Sequence, residues 1–176
     1  LQDQKNAPID IDFVDFKIET ILSIVKKEDL LMNGLINGKA TISNLETKPS
    51  FISDIKVDDF VFNGEEVGDI SIKVDNQTAD LLNAEVLLSG GENNLDIAGT
   101  YRISNGGLDL KADINHLNIK SIQGFTMNNV TEGTGFLTGN FKVAGTVDAP
   151  NVNGELKFNG AGFRITKLNS YFKMSD

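Results

Sequence analysis

The chain has no cysteine, and its only histidine is His116. Zinc sites built on cysteine or histidine are therefore excluded in their usual form, and a Ser-His-Asp triad would have to use this one histidine. We expect His116 to be a partly exposed strand residue. The lack of disulfides identifies no compartment, because a chain of 176 residues can bury enough core to fold without them.

Basic residues are also scarce. Lys and Arg number 16 against 25 Asp and Glu, which gives a net charge of −9. This charge opposes binding to a phosphate backbone or to an anionic membrane surface. We therefore expect no nucleic acid among the partners.

Long apolar runs are missing as well. Runs such as ILSIV at residues 21–25 are far shorter than the roughly 18 residues that a membrane-spanning helix needs. Apolar residues still make up 40% of the chain, which excludes disorder. The chain begins LQDQKNAP, with neither an initiating Met nor a signal peptide, so we expect residues 1–176 to be one segment of a longer protein.

Apolar and polar residues alternate through most of the chain, which is the pattern of strands with one buried and one exposed face. Compact turn signals, SGGENN at 89–94 and SNGG at 104–107, indicate antiparallel hairpins. The sequence therefore predicts an all-β fold. The candidate strands cover residues 34–42, 54–62, 69–74, 84–89, 95–103, 108–115, 136–147 and 152–160.

Two stretches depart from this alternation. Ile18, Ile21 and Leu22 recur at helical spacing, which predicts a short helix at 17–31. A second short helix is predicted near 119–129, although Gly124 weakens its helical pattern.

Glycines interrupt the inward face of the strand pattern. In GNFKVAGTVDAPNVNGELKFNG, residues 139–160, they fall among alternating apolar positions. A strand glycine costs about 0.5–1 kcal/mol relative to alanine and removes a side chain where a sheet must bend or where something else must fit. We expect a curved sheet that either closes into a sandwich or folds into a trough with a partly open apolar interior.

The chain also resembles itself after a shift of 101 positions. This shift sets residues 9–75 over 110–176 without a gap and aligns nine identical residues, including Gly38 with Gly139 and Pro49 with Pro150. The hypothesis is an internal repeat whose two copies are joined by a β-meander at 76–109. The alternative is that alternating β sequences resemble one another in any register.

The acidic clusters do not form a recognisable site. Asp10, Asp12 and Asp15 lack the spacing of an EF-hand and are interpreted as a solvated strand face. The pairs at 58–59 and 65–66 fall in predicted turns, with nothing to raise a pKa. We expect no catalytic residue, no metal site, no cofactor and no enzyme.

One set of apolar residues repeats along the inward faces of the predicted strands. These residues either form an ordinary core or line a hydrophobic groove, and the walls of a trough would be both. The predicted lining consists of Ile36, Ala40, Ile42, Ile97, Tyr101, Ile103, Leu110, Ile114, Leu137, Phe141, Val143, Leu156 and Phe158.

The run GTVDAPNVNGEL at 145–156 resembles a glycine- and proline-containing pattern of the TamB and AsmA superfamily, in its C-terminal-type domain. GTGFLTGNFKVAG before it is similar to the segment that introduces this pattern. LKFNGAGFRITKLNSYFKMSD after it resembles the continuation in the Bacteroidetes-like branch. The first copy, INGKATISNLETKPSF, keeps the glycine and the proline but carries Asn44 and Ser53 in place of Gly145 and Gly154.

The resemblance implies a segment of a long bacterial envelope protein of the translocation and assembly module type. It implies a taco-like trough in the periplasm, within a chain anchored in the inner membrane, and an Omp85-family (TamA-like) partner in the outer membrane. The implied cargo is phospholipid acyl chains or unfolded outer-membrane protein strands, in inter-membrane lipid transport or in outer-membrane protein (autotransporter) assembly. The alternative function is a structural or adhesive β-solenoid module that binds no lipid.

Overall fold

The computed structural model describes residues 7–24, 30–43, 50–78 and 80–174, except for the side chain of Gln77. These residues form ten strands of one sheet and two short helices, α1 (Ile18–Ile24) and α2 (Ile119–Gln123). The strands are β1 (Ile9–Lys17), β2 (Met32–Ser43), β3 (Ser50–Phe62), β4 (Glu65–Thr78), β5 (Leu81–Gly90), β6 (Asn93–Arg102), β7 (Gly107–Asn118), β8 (Val130–Thr146), β9 (Ala149–Ile165) and β10 (Ser170–Lys173).

The strands follow one another across the sheet in chain order. Each pairs antiparallel with its neighbour in sequence, and β1 and β10 form the two edges. The prediction of an all-β fold, a curved antiparallel sheet with short helices, is confirmed. Because the edge strands do not pair with each other, the sheet is open.

The strand register places the inward residues in four rows, which we call the apolar rows; in the first row the β4 position, opposite Leu82, is the polar Asn76. Residues directly opposite each other on neighbouring strands share a face, so each row crosses the sheet on one side. The rows contain Ile9, Ile42, Phe51, Leu82, Tyr101 and Leu108 (first); Ile11, Ala40, Ser53, Val74, Ala84, Gly99, Leu110, Val143 and Val152 (second); Phe13, Gly38, Ile55, Ile72, Val86, Ile97, Ala112, Phe141 and Gly154 (third); and Phe16, Ile36, Val57, Ile70, Leu88, Leu95, Ile114, Gly139 and Leu156 (fourth).

The core lies at the end of the sheet beside the fourth row. One cluster gathers around Ile18 of α1 and includes Ile36, Val57, Phe60 and Phe62. A smaller cluster gathers around Ile119 of α2 and contains Leu137 and Ala161. Each helix thus buries its apolar side against the strand that follows it, as an amphipathic pattern predicts.

Secondary-structure elements of the two predicted copies coincide at the offset of 101. The order β1, α1, β2, β3 at the start of the first copy matches the order β7, α2, β8, β9 in the second copy. The register shift between Phe13 and Phe16 returns between Ile114 and Leu117. Chance alternation would not reproduce single-residue bulges, so these coincidences favour the repeat hypothesis.

The predicted helices are too long at their C-terminal ends. The segment at 17–31 is helical over Ile18–Ile24; residues 25–29 lie outside the described residues, and β2 begins at Met32. The segment at 119–129 contains α2 and one 3₁₀ turn, Gly124–Thr126, because Met127 and Asn128 take left-handed backbone conformations that end it. Among the strands, β1 and β10 are additional to the predicted segments.

Candidate functional site: an apolar groove

The sheet brings twelve of the thirteen predicted lining residues onto its apolar face. Ten of them belong to the apolar rows, and Leu137 and Phe158 lie opposite each other just beyond the fourth row. Ile103 lies outside this set. The strand β6 ends at Arg102, so Ile103 falls in the following turn, where its backbone N–H donates to the carbonyl of Asp80.

The apolar rows are covered unevenly. Both helices pack at the fourth-row end, and the third row meets the larger core cluster through Phe13 and Ile55, whereas no described helix packs over the first two rows. Most side chains of the rows are half-buried, and in the second row the exposed fraction ranges from 5% at Ala40 and Ser53 to 57% at Val152. Leu156 in the fourth row is 37% exposed. An apolar face of this extent without a covering layer is typical of a binding surface.

The helix α2 fastens the second half of the sheet to the first. The ring of Phe125, just after α2, stacks on Phe62 of β3 at 4.4 Å between centroids. The Asn63 side chain donates to the carbonyl of Gly124 at 2.7 Å, and Gln123 donates to Glu65 at 2.6 Å. We call this set of contacts the α2 latch. The sequence does not predict these contacts, because nothing in its local pattern connects residues about sixty positions apart.

An apolar pocket lies beneath α2, between the helix and strands β8 and β9. It has a volume of about 160 Å³, and all of its exposed lining is apolar. The side chains of Gln123 and Thr126 belong to its wall, but their polar groups make hydrogen bonds elsewhere. The remaining lining residues are Ile119, Ile122, Val130, Leu137, Phe158 and Phe163.

The opposite face of the sheet is polar and charged. Two adjoining depressions on this face, of about 540 and 420 Å³, share Ala98, Gly99 and Thr100. Exposed ion pairs between neighbouring strands, each worth at most about 1 kcal/mol, also lie on this face. They join Lys39 with Asp12 at 3.3 Å, Lys73 with Asp54 at 3.7 Å, and Lys142 with Asp109 at 3.6 Å.

The acidic pair at 58–59 lies in β3, within the predicted strand 54–62 and not in a turn, and the pair at 65–66 begins β4. A β-bulge lies at the first pair: Asp59 has φ +52°, and its N–H donates to Asp69 at 3.0 Å. Hydrogen bonds from Lys56 and then Asn37 lower the pKa of Asp58 below its usual 3.8. A carboxyl group held in its charged form by such partners is not suited to act as a general acid.

The other polar residues considered in the sequence have structural partners. His116 is half-buried in β7, as predicted, and its ring stacks on Phe136 at 3.9 Å. Asp10 accepts a hydrogen bond from Thr41 at 2.7 Å. Within the described ranges, no three His, Cys, Asp or Glu side chains form a group that could hold a metal ion.

A buried hydroxyl group interrupts the second apolar row. Ser53 is only 5% exposed, between Ala40 and Val74, and its Oγ has no hydrogen-bond partner among the described residues. A buried polar group left unpaired costs roughly 1–3 kcal/mol.

Replacing Ser53 with alanine is therefore expected to raise the free energy of unfolding by about 1 kcal/mol, because the unpaired hydroxyl is removed with little loss of volume. Urea denaturation followed by circular dichroism measures this change. Ser71→Ala, on the polar face of β4, is the matched control, with an expected change within about 0.5 kcal/mol. A loss of stability in Ser53→Ala would show that the hydroxyl group has a partner in solution.

Comparison of the chain with protein-family models, with curated proteins and with solved structures gave no match. Neither described helix has the length and apolar content needed to cross a membrane.

Proposed function

We propose that this chain is a non-enzymatic carrier segment that shields hydrophobic cargo against its apolar rows. The observation that carries this proposal is the set of apolar rows that cross the sheet, of which the first two have no covering helix among the described residues. An apolar face that only needed to stabilise the fold would be covered by helices or by a second sheet.

Acyl chains suit this surface better than polar ligands. Removing methylene groups from water contributes about 0.8 kcal/mol each and requires no polar partner. The rows offer mostly aliphatic and aromatic side chains along the length of the sheet. Charged side chains lie on the opposite face, where they remain in contact with water.

The resemblance to the TamB and AsmA superfamily supports a more specific proposal. The cargo would be phospholipid acyl chains or unfolded outer-membrane protein strands, and the setting would be the periplasm, within a chain anchored in the inner membrane. The partner would be an Omp85-family outer-membrane protein of the TamA-like type. The alternative is a structural or adhesive β-solenoid module, for which the same rows would be only core.

A titration with a fluorescent fatty acid tests this proposal. The carrier predicts saturable binding with a defined stoichiometry, and Leu156→Asp is expected to abolish it, because a charge on the apolar face would have to be desolvated by the cargo. Phe141→Asp in the third row is expected to do the same. Circular dichroism shows in parallel whether each variant is folded.

Asn153→Asp is the matched control, because it adds the same charge to the polar side of β9, where Asn153 is exposed. We expect its binding to equal that of the wild type. Absence of saturable binding by the wild type would favour the solenoid module. Unfolding of both Asp variants, with no binding by the wild type, would identify these residues as core only.

A further inference from the structure

The pocket beneath α2 is the most completely apolar concavity among those described on this chain. Its volume of about 160 Å³ is close to that of an engineered cavity, lined by Leu, Ile and Phe, that stays dry and binds benzene. A pocket of this size therefore accommodates about six carbon atoms. Because its exposed lining offers no polar group, water gains no hydrogen bonds there.

Two positions that are equivalent at the offset of 101 differ in side-chain size or burial between the halves of the sheet. Position 60 holds a buried phenylalanine, whereas the equivalent position 161 holds a buried alanine. Phe62 is 7% exposed, but its counterpart Phe163 is only partly buried and borders the pocket. The smaller side chain at 161 and the partial burial of Phe163 are consistent with free volume under α2.

The pocket is continuous with the apolar rows. Leu137 and Phe158 line it, and they lie two residues from Gly139 and Leu156 of the fourth row on the same strands and the same face. An extended chain lying across the rows, parallel to β8 and β9, can therefore place its end in the pocket. The α2 latch lies at this end of the sheet, so the other end is left for a polar head group.

We propose that the pocket beneath α2 binds the terminal methyl end of a saturated alkyl chain. This inference rests on the proposed carrier function and adds an orientation: the hydrocarbon terminus lies under α2, and the polar group lies toward the uncovered first row. The pocket then makes binding affinity depend on chain length, because only a chain long enough to reach the pocket gains its contacts.

A chain-length series tests this orientation. Saturated fatty acids of increasing length displace the fluorescent fatty acid from the full chain, and wild-type affinity is expected to rise about fourfold per added methylene. Val130→Trp, which places an indole ring in the pocket wall, is expected to lower the affinity of the longest acids about 60-fold, the equivalent of about three methylenes, and to leave the shortest unchanged. Val147→Trp makes the same replacement at a 58% exposed site and is expected to match the wild type.

A second measurement does not depend on fatty-acid binding. Benzene is expected to raise the Tm of the wild type and of Val147→Trp, and to leave that of Val130→Trp unchanged. Equal benzene shifts in all three proteins, or equal chain-length profiles for both Trp variants, would overturn the inference. If benzene stabilises only the proteins with an open pocket while no fatty acid binds, the pocket accepts a small apolar ligand but the carrier function is refuted.

Discussion

Gly38→Ala is expected to lower the free energy of unfolding by about 3–5 kcal/mol. A Cβ atom at position 38 would lie 2.1 Å from the carbonyl oxygen of Asp54 on the neighbouring strand, and the backbone has φ +124°. Both a backbone clash and a strained conformation would have to be relieved by moving β2 away from β3. Urea denaturation with circular dichroism measures the loss.

Gly64→Ala separates the two causes. Gly64 also has a positive φ, +81°, but a Cβ there would meet nothing within 4 Å. Its replacement is expected to cost only about 1 kcal/mol, from the backbone conformation alone. Equal losses in the two variants would show that the sheet relaxes around the added methyl group at position 38 and that close strand approach does not require this glycine. Gly99, Gly139 and Gly154 face comparable clashes with carbonyl oxygens of neighbouring strands.

Phe62→Ala is expected to cost about 3–5 kcal/mol, because it removes a ring that is only 7% exposed and leaves a cavity in the larger core cluster. It also removes the surface on which Phe125 stacks. Phe125 is 50% exposed, so Phe125→Ala is expected to cost about 1 kcal/mol. Thermal and urea unfolding of both single variants measure these losses.

The double variant tests whether the α2 latch joins the two halves of the sheet. A coupling energy of about 0.5–1.5 kcal/mol between Phe62 and Phe125 is expected for stacked rings. Phe172→Ala is the control for ring truncation, because Phe172 is 40% exposed on the edge strand β10 and stacks on Phe163 in its own half. A coupling energy near zero would mean that the stacking of these two rings does not contribute to the α2 latch.

The α2 latch has a consequence for the proposed carrier. The contacts of Asn63 and Glu65 with the end of α2 hold this helix over the apolar pocket. Cargo binding in the pocket and the stability of the latch are therefore coupled, because both depend on the position of the same helix. A variant that weakens the latch, such as Phe125→Ala, is accordingly expected to weaken binding of the longest fatty acids most.

The amino-acid sequence was sufficient to predict the class of fold and the inward face of most strands. An alternation with period two assigns each residue to a face whatever its neighbours are, and Ile36, Leu110 and Phe141 do share one face of the sheet. Short turns such as that between β5 and β6 pair strands that are adjacent in the chain, which largely determines the sheet order. These signals are local, and a single sequence contains them.

Only the tertiary structure decided where the alternating strand pattern stops and which distant residues contact each other. The end of β6 before Ile103, the bulge at Asp59 and the unpaired hydroxyl of Ser53 each depend on contacts with a neighbouring strand. The stacking of Phe125 on Phe62 joins residues far apart in the chain, and the pocket beneath α2 exists because of how two strands and a helix meet. Such features arise from packing between segments that are far apart in the chain. The periodicity of a sequence does not specify which of these segments come into contact.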